Sequence, residues 1–272
     1  MKRSDFHVHT GTVSYCAKPE ATVQAYIDLC AQEGVSAIGF FDHLWDTDIS
    51  KSKFFPNNTF EKLSEIYATI PKDTKGVKIF VGCETDMNVY GEIGITPEHA
   101  SELDFVLIPM SHYHNFECQF LGMNIDDEKF MRKFAIDRFI KACDANFSVP
   151  TGICHPFIPH GTDRRDELMQ EISDKDYLDC FKYAAEKNIF IEIHCTVCSK
   201  KWKNYDNGFP VEYLRMATLA KEAGCKFTFG TDAHTLDGFS GGIHERMEQF
   251  AKRCGITEDL IISDFPRNNR NF

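Results

Sequence analysis

The sequence predicts an α/β fold: a parallel sheet of seven strand–helix units, closed or nearly closed into a barrel. Three observations carry that expectation. Short apolar runs recur with little alternation, as strands covered on both faces require. Each run is followed by a helical pattern or a loop, and strands alternating with helices pair in parallel. No Pro-, Gly- or Ser-rich linker interrupts the 272 residues, so one domain over 1–272 is the simpler account. An open doubly wound sheet is the rival. The sequence lacks both a Gly-x-Gly-x-x-Gly after a strand and a Walker A motif, which removes support from that rival's nucleotide-binding versions.

The elements follow in order. Phe6–Val8 ends a first strand after a charged start. Thr22–Cys30 is helical, with Gly34 as its C-cap. Ala37–Phe41 is the second strand, followed by a polar, turn-rich stretch, Trp45–Thr59. Phe60, Leu63, Ile66, Tyr67 and Ile70 share one helix face that Pro71 stops. Val77–Cys83 and Phe105–Met110 are the third and fourth strands, and Met131, Phe134, Ala135, Phe139 and Ala142 mark the next helix. Ser148–Cys154 is the fifth strand. Ser173 with Asp176 is a capping-box signal ahead of Tyr177, Phe181 and Ala184. Ile189–Ile193 is the sixth strand, and Lys200–Gly208 a second long loop. Leu214, Ala217 and Ala220 recur before Gly224, and Lys226–Gly230 is the seventh strand. Ile243, Met247, Phe250 and Cys254 stripe a last helix before Gly255. Both long loops belong near the barrel mouth, where such folds keep their sites.

Composition narrows the function. Hydrophobic residues at 43% and charged residues at 26% are ordinary for a soluble globular chain. A net charge of -11 argues against a long nucleic-acid footprint. It leaves room for a small anionic substrate, because bound metals invert the field locally. Met1–Lys2–Arg3 leads into Ser4–Asp5–Phe6–His7 and not into an apolar segment, and no apolar run is long enough to span a bilayer. With eleven cysteines and no secretory signal, the expectation is a cytoplasmic protein with reduced thiols and no membrane partner; a homo-oligomer is compatible with the composition. Of the cysteines only Cys195 and Cys198 are spaced as a zinc-knuckle pair, and a knuckle needs two such pairs.

The eleven histidines are not scattered. His7 and His9 end the first strand, two apart and so on one face. His43 ends the second strand, Glu84 the third and His155 the fifth; His112 and His114 follow the fourth, and Asp232 and His234 the seventh. His99 and His244 fall in helical stretches and read as ordinary packed or surface residues. In a barrel the C-terminal strand ends converge. Imidazole with carboxylate suits Zn, Mn, Fe or Co, and this set exceeds what one tetrahedral ion needs. Two or three divalent ions, with Glu84 or Asp232 bridging, is the economical expectation.

Asp5–Phe6–His7–Val8–His9–Thr10 resembles the opening motif of the PHP (polymerase and histidinol phosphatase) superfamily. Phe41–Asp42–His43, Gly82–Cys83–Glu84, Ser111–His112, His155–Pro156 and Thr231–Asp232–Ala233–His234 resemble its later motifs, in order. The resemblance runs from Asp5 to about His244, and the chain looks most like the stand-alone phosphoesterases, including the histidinol-phosphatase branch. It implies a distorted (β/α)7 TIM-like barrel with two or three divalent metals (Zn, Mn or Fe) at its mouth. By that resemblance His7, His9, Glu84 and Asp232 hold the first ion, Glu84 bridges to a second held by His112 and His155, and His43 and His234 belong to a third site.

Two positions depart from the family pattern. Many relatives carry a further histidine shortly after the opening motif, whereas this chain reads Thr12–Val13–Ser14–Tyr15–Cys16–Ala17–Lys18. Protonated lysine has no acceptor and cannot be a ligand, so Lys18 is assigned to the substrate phosphate. The third site is then absent, weak, or held by His43 and His234 with substrate oxygens or Cys16. In the sixth strand, where relatives often place an Asn, stands His194: an added ligand, a general acid or substrate contact, or a packed histidine.

The expected activity is metal-dependent hydrolysis of a phosphate monoester by a metal-activated hydroxide, with histidinol-phosphate-like compounds among the candidate substrates. Catalytic roles go to Lys18, His194 and Arg164, with His194, His234 or His114 as donors to the leaving oxygen. Arg164 and Arg165, after His160, offer a phosphate fork, and pairing with Asp163, Asp166 or Glu167 is their structural alternative. Lys200, Lys201 and Lys203, interleaved with Trp202 and Tyr205, either close over a substrate or form a solvated loop. The alternatives are a phosphodiesterase or exonuclease on short oligonucleotides or a nucleotide, an amide or lactone hydrolase, and a catalytically silent metal-binding domain.

Overall fold

Seven apolar strands cannot satisfy their backbone groups singly, and they pair in one parallel ring. The computed structural model describes residues 2–46, 58–112, 124, 127–160 and 163–266. The strands are β1 (Arg3–His9), β2 (Val35–Phe41), β3 (Lys78–Thr85), β4 (Phe105–Ile108), β5 (Thr151–Ile153), β6 (Phe190–His194) and β7 (Phe227–Gly230), adjacent in that order. Just past β7 a parallel bridge between Ala233 and Val8 brings the last strand back to the first. His9 N–H donates to Ala233 O at 3.0 Å and Asp232 N–H to His7 O at 2.8 Å. The barrel is nearly closed, as expected from the chain's seven alternations.

Helices cover the outside. They are α1 (Val23–Glu33), α2 (Phe60–Thr69), α3 (Pro97–Ala100), α4 (Glu128–Cys143), α5 (Arg165–Gln170), α6 (Asp174–Glu186), α7 (Val211–Glu222), α8 (Leu236–Phe239) and α9 (Ile243–Arg253). The predicted caps are present. Thr22 accepts from Ala25 N–H at the start of α1, and Gly34 ends that helix in the left-handed region at φ 71°. Ser173 and Asp176 form the full capping box of α6. No helix among the described residues is long and apolar enough to cross a membrane.

Boundaries differ from the sequence expectation where local composition misleads. β1 extends back to Arg3, ahead of the apolar Phe6–Val8 run, and its polar residues Ser4 and Asp5 are buried. The fifth strand shrinks to Thr151–Ile153. The stretch 200–208 is not wholly a loop: Tyr205–Asp206 pairs antiparallel with Phe209–Pro210. Asn207 and Gly208 make the turn at φ 48° and 82°, the conformation an Asn-Gly hairpin turn requires.

The core has two parts. A large cluster lies between strands and helices, with Tyr26, Ile66, Phe139, Phe181, Met216 and Phe250 facing the sheet. A smaller one fills the barrel: Phe6, Phe41, Phe80, Phe105, Phe190 and Phe265. A Cβ on Gly82 would stand 2.7 Å from the Phe105 ring, so glycine makes room for that ring. Phe265 arrives from the C-terminal segment, which bonds to the start of β7 through Ile262 N–H and Phe227 O at 2.7 Å. It therefore plugs the barrel end opposite the mouth.

Candidate metal centre

Strand period and barrel closure bring the predicted ligands together at the C-terminal mouth. Glu84, near the end of β3, stands at the centre and is buried. Its Oε1 lies 3.0 Å from His155 Nε2 and 3.6 Å from His112 Nε2. Its Oε2 lies 3.0 Å from His43 Nδ1, 3.4 Å from His9 Nε2 and 3.8 Å from His7 Nε2. Asp232 Oδ1 is 3.2 Å from His7 Nε2 and 3.1 Å from His9 Nε2, and Oδ2 is 3.4 Å from His194 Nε2. His234 directs Nδ1 to the Asp232 carbonyl at 2.8 Å. His114 lies outside the described residues.

The opposite ring nitrogens are held by oxygens. His7 Nδ1 meets Glu192 Oε1 at 2.5 Å, His9 Nδ1 meets Asp42 Oδ1 at 3.2 Å and His112 Nδ1 meets Asp86 Oδ1 at 2.7 Å. His155 Nδ1 meets Ser111 Oγ at 2.8 Å. Such partners fix the tautomer and leave Nε2 as a lone-pair donor, the usual arrangement of metal-binding imidazoles. Glu192 also accepts the His155 backbone N–H at 2.8 Å. Asp5 does similar work behind β1, accepting from His7 N–H and Thr231 N–H through one oxygen and meeting Thr231 Oγ and His244 Nε2 through the other. His244 is thus a packed histidine, as its helical place suggests. Buried Arg138 on α4 donates to the carbonyls of Met87, Asn88 and Met110, pinning the chain beyond β3 and β4.

Several of these supporting groups escape a search for ligands. Glu192, two residues before His194 on β6, is separated from it by one apolar residue, and strand period was the available signal. Asp86 lies two residues after Glu84, just past the end of β3. Backbone strain also marks the site: His155 and Asp232 take φ of 31° and 53°, and non-glycine residues there cost energy that the surroundings must supply.

Burial and charge oppose each other throughout. Burial disfavours the charged form of His7, but the carboxylates of Glu192 and Asp232 prevail and lift its pKa to about 10. Burial likewise pushes Glu84 and Asp232 upward; the surrounding histidines overcome it and hold both well below the usual carboxylate range. Burial drives His155 down to about 4, against its hydrogen bond to Glu84. It lowers His160, packed beside His155 at 4.7 Å between ring centroids, with the charges of His155 and His112 adding to the effect. Burial would raise the Cys16 thiol, yet hydrogen bonds with His234 and His43 bring it to about 6.

The described residues hold four sets whose ligand atoms lie within 4.8 Å of one another: His7, Glu84 and His155; His7, His9 and Asp232; His43, Glu84 and His112; and His9, Cys16, His43 and His234. Nε2 of His7 and His9 and Oε2 of Glu84 are buried with no well-oriented hydrogen-bond partner. Buried polar atoms of this kind are costly unless something else meets them, and a divalent cation satisfies all three. The donor set fits several metal ions held close together.

The predicted catalytic residues are less gathered. His194 stands at the centre's edge, with Nδ1 3.2 Å from Thr196 Oγ1. Lys18 is exposed and joined to the site through its backbone, N–H to His234 O at 2.9 Å. Arg164 precedes α5 and forms an ion pair with Glu128, a partner from a different helix than the neighbouring acids expected. Arg165 lies over Trp202, and Lys203 pairs with Glu167, which ties the 200–208 segment to α5.

A nearly closed barrel carrying clustered histidines and carboxylates at its mouth defines a metal-binding α/β barrel protein. The chain belongs to the PHP domain family, whose pattern matches residues 5–196. Family and ligand sets together support a metal-dependent hydrolytic enzyme. A comparison with curated proteins finds no match. Among solved structures, a mandelate racemase/muconate lactonizing enzyme from Roseiflexus sp. aligns over 94% of this chain and 53% of its own, at 13% identity and a TM-score of 0.37. A phospho-2-dehydro-3-deoxyheptonate aldolase from Thermotoga maritima aligns over 93% of this chain and 58% of its own, at 10% identity and 0.42. The catalytic domain of a β-amylase from Paenibacillus polymyxa aligns over 93% and 91%, at 10% identity and 0.43. The chain spans little more than half the length of the first two of these proteins, and scores this low say nothing about the reaction.

Proposed function

We propose that the protein is a metal-dependent phosphomonoesterase acting on a small phosphorylated substrate, with histidinol-phosphate-like compounds in its range. The carrying observation is Glu84, which turns one oxygen to His155 and His112 and the other to His43, His9 and His7. A carboxylate so placed serves two ions at once. His7, His9, Asp232 and Glu84 would hold one ion, and Glu84, His112 and His155 a second, with His43 and His234 beside them. Divalent ions of the Zn, Mn or Fe type supply there an acidified water and positive charge for phosphoryl oxygens.

The remaining steps fall to side chains. His194, held by Thr196 and 3.4 Å from Asp232, is placed to pass a proton to the leaving oxygen. Lys18 supplies a movable cation for the phosphate, and Arg164 a second one on exchanging Glu128 for substrate. The net charge of -11 favours a small monoester over an oligonucleotide.

The test is a hydrolysis screen of metal-loaded protein on phosphomonoesters and short oligonucleotides, measuring released phosphate and chain shortening. Phosphate release from monoesters is expected. Shortened chains without phosphate release, or no hydrolysis of either class, would refute the proposal. Lys18→Ala should keep its metal content and lose about tenfold to a hundredfold in kcat/KM, or roughly 1.4–2.8 kcal/mol. Unchanged kinetics would detach Lys18 from the substrate.

A further inference from the structure

The loop after β1 folds back so that a thiol, and not an imidazole, stands beside three histidines of the barrel mouth. Cys16 joins His9, His43 and His234 in one set with ligand atoms within 4.8 Å of one another. The three histidines are neighbours through their rings: His9 stacks on His234 with centroids 4.0 Å apart, and lies 4.9 Å from His43. They arrive from the ends of β1, β2 and β7, so barrel closure alone brings them together.

The loop holding Cys16 is fixed at several points. Gly11 N–H donates to Ala21 O at 2.9 Å, and Val13 and Ser14 N–H both donate to Thr10 O. Ser14 Oγ accepts from the backbone N–H of Cys16 and of Ala17, each at 3.3 Å, and lies 2.9 Å from Cys16 Sγ. Beyond the thiol, Lys18 N–H is tied to the His234 carbonyl. The turn is tight enough that a Cβ on Gly11 would stand 2.1 Å from Lys18 O, which only glycine permits. These bonds hold Cys16 beside His43 and His234.

We propose that Cys16, His43 and His234 form a thiolate-containing metal site beside the Glu84-bridged pair, selective for borderline-soft ions such as zinc and cobalt over manganese and magnesium. Thiolate favours the softer ions, whereas an all-imidazole and carboxylate set discriminates less. Binding there releases the thiol proton to solvent. Three protein ligands leave a fourth position for water or a substrate oxygen, the pattern of reactive zinc sites and not of closed structural ones. This inference does not depend on the phosphatase proposal.

Cobalt(II) titration of the full, metal-stripped protein tests it by absorbance. A near-ultraviolet thiolate-to-cobalt charge-transfer band should grow with one of the bound equivalents. Cys16→Ser should abolish the band and lower affinity for that equivalent by more than about tenfold, the least expected for losing even an outer-shell partner. The other ions should stay bound. Cys16→His should restore the equivalent without the band, which a merely structural role for the thiol would not produce. Saturated wild-type protein without the band, or a band that survives in Cys16→Ser and so belongs to another thiol such as Cys195, would overturn the proposal. Loss of every ion in Cys16→Ser would equally overturn it, because the site would then not be separate. Either result leaves the Glu84-bridged pair to be judged by the hydrolysis screen.

Discussion

Replacing Glu192 by Gln should weaken one metal ion without touching any of its predicted ligands. The carboxylate is buried, with Oε1 at 2.5 Å from His7 Nδ1 and Oε2 accepting the His155 backbone N–H at 2.8 Å. Glutamine has nearly the same shape but one acceptor and one donor. The backbone N–H of His155 can only donate, so it claims the amide oxygen. The amide NH2 then faces His7 Nδ1, which must become the acceptor. The ring proton moves to Nε2, the atom 3.2 Å from Asp232 and 3.8 Å from Glu84, and a protonated nitrogen cannot bind an ion. Losing an outer partner of this kind costs about tenfold to a hundredfold in metal affinity, or roughly 1.4–2.8 kcal/mol. Competition against a chromophoric chelator at fixed pH would measure it, ion by ion. Asp86→Asn is the matching change behind His112 and should weaken a different ion. If Glu192→Gln takes up every ion with wild-type affinity while remaining folded, His7 does not ligate through Nε2 and the argument fails.

Other perturbations probe other links. Glu84→Gln removes the charge shared by two groups of histidines, so elemental analysis should find the loss of more than one ion, with near-complete loss of turnover and little change in circular dichroism. Phe265→Ala empties the plug beneath the site, where that ring lies 4.6 Å from Phe6 and 5.0 Å from Phe105 between centroids. Denaturant unfolding should show a loss of about 3–5 kcal/mol. Asp176 caps α6: burial opposes its charge, but Ser173 and Arg132 prevail and depress its pKa. A depressed carboxylate contributes stability that is present above its unfolded pKa of 3.8 and lost as pH falls through the folded value. Wild-type protein should therefore lose more stability on acidification than Asp176→Asn, and parallel acid profiles for the two would refute the assignment.

How far the sequence alone reaches depends on whether a residue's neighbours are local. Ala37–Phe41 and Phe105–Met110 announce buried parallel strands because apolar runs bounded by helices have few other uses, and their C-terminal ends locate His43 and His112 without a structure. Caps such as Thr22, Gly34 and the Ser173–Asp176 pair are equally legible, since each meets its partner within four residues. The start of β1 is not, because Asp5 is polar and only a distant pair, Thr231 and His244, explains why it is buried. Glu192 is hidden for the same reason: its partners, His7 and His155, come from other strands. Whether Cys16 stands with His43 and His234 was open in the sequence, because a loop has no period to say which side chain faces inward. The fold brings Cys16 near them through one close approach, Gly11 against Lys18, and through the closure of β7 onto β1, which carries His234 to the loop. Strand pattern is a local property of hydrophobic side chains, whereas the identity of a ligand's partner depends on how the ring of strands closes, and that is decided by contacts between residues more than two hundred positions apart.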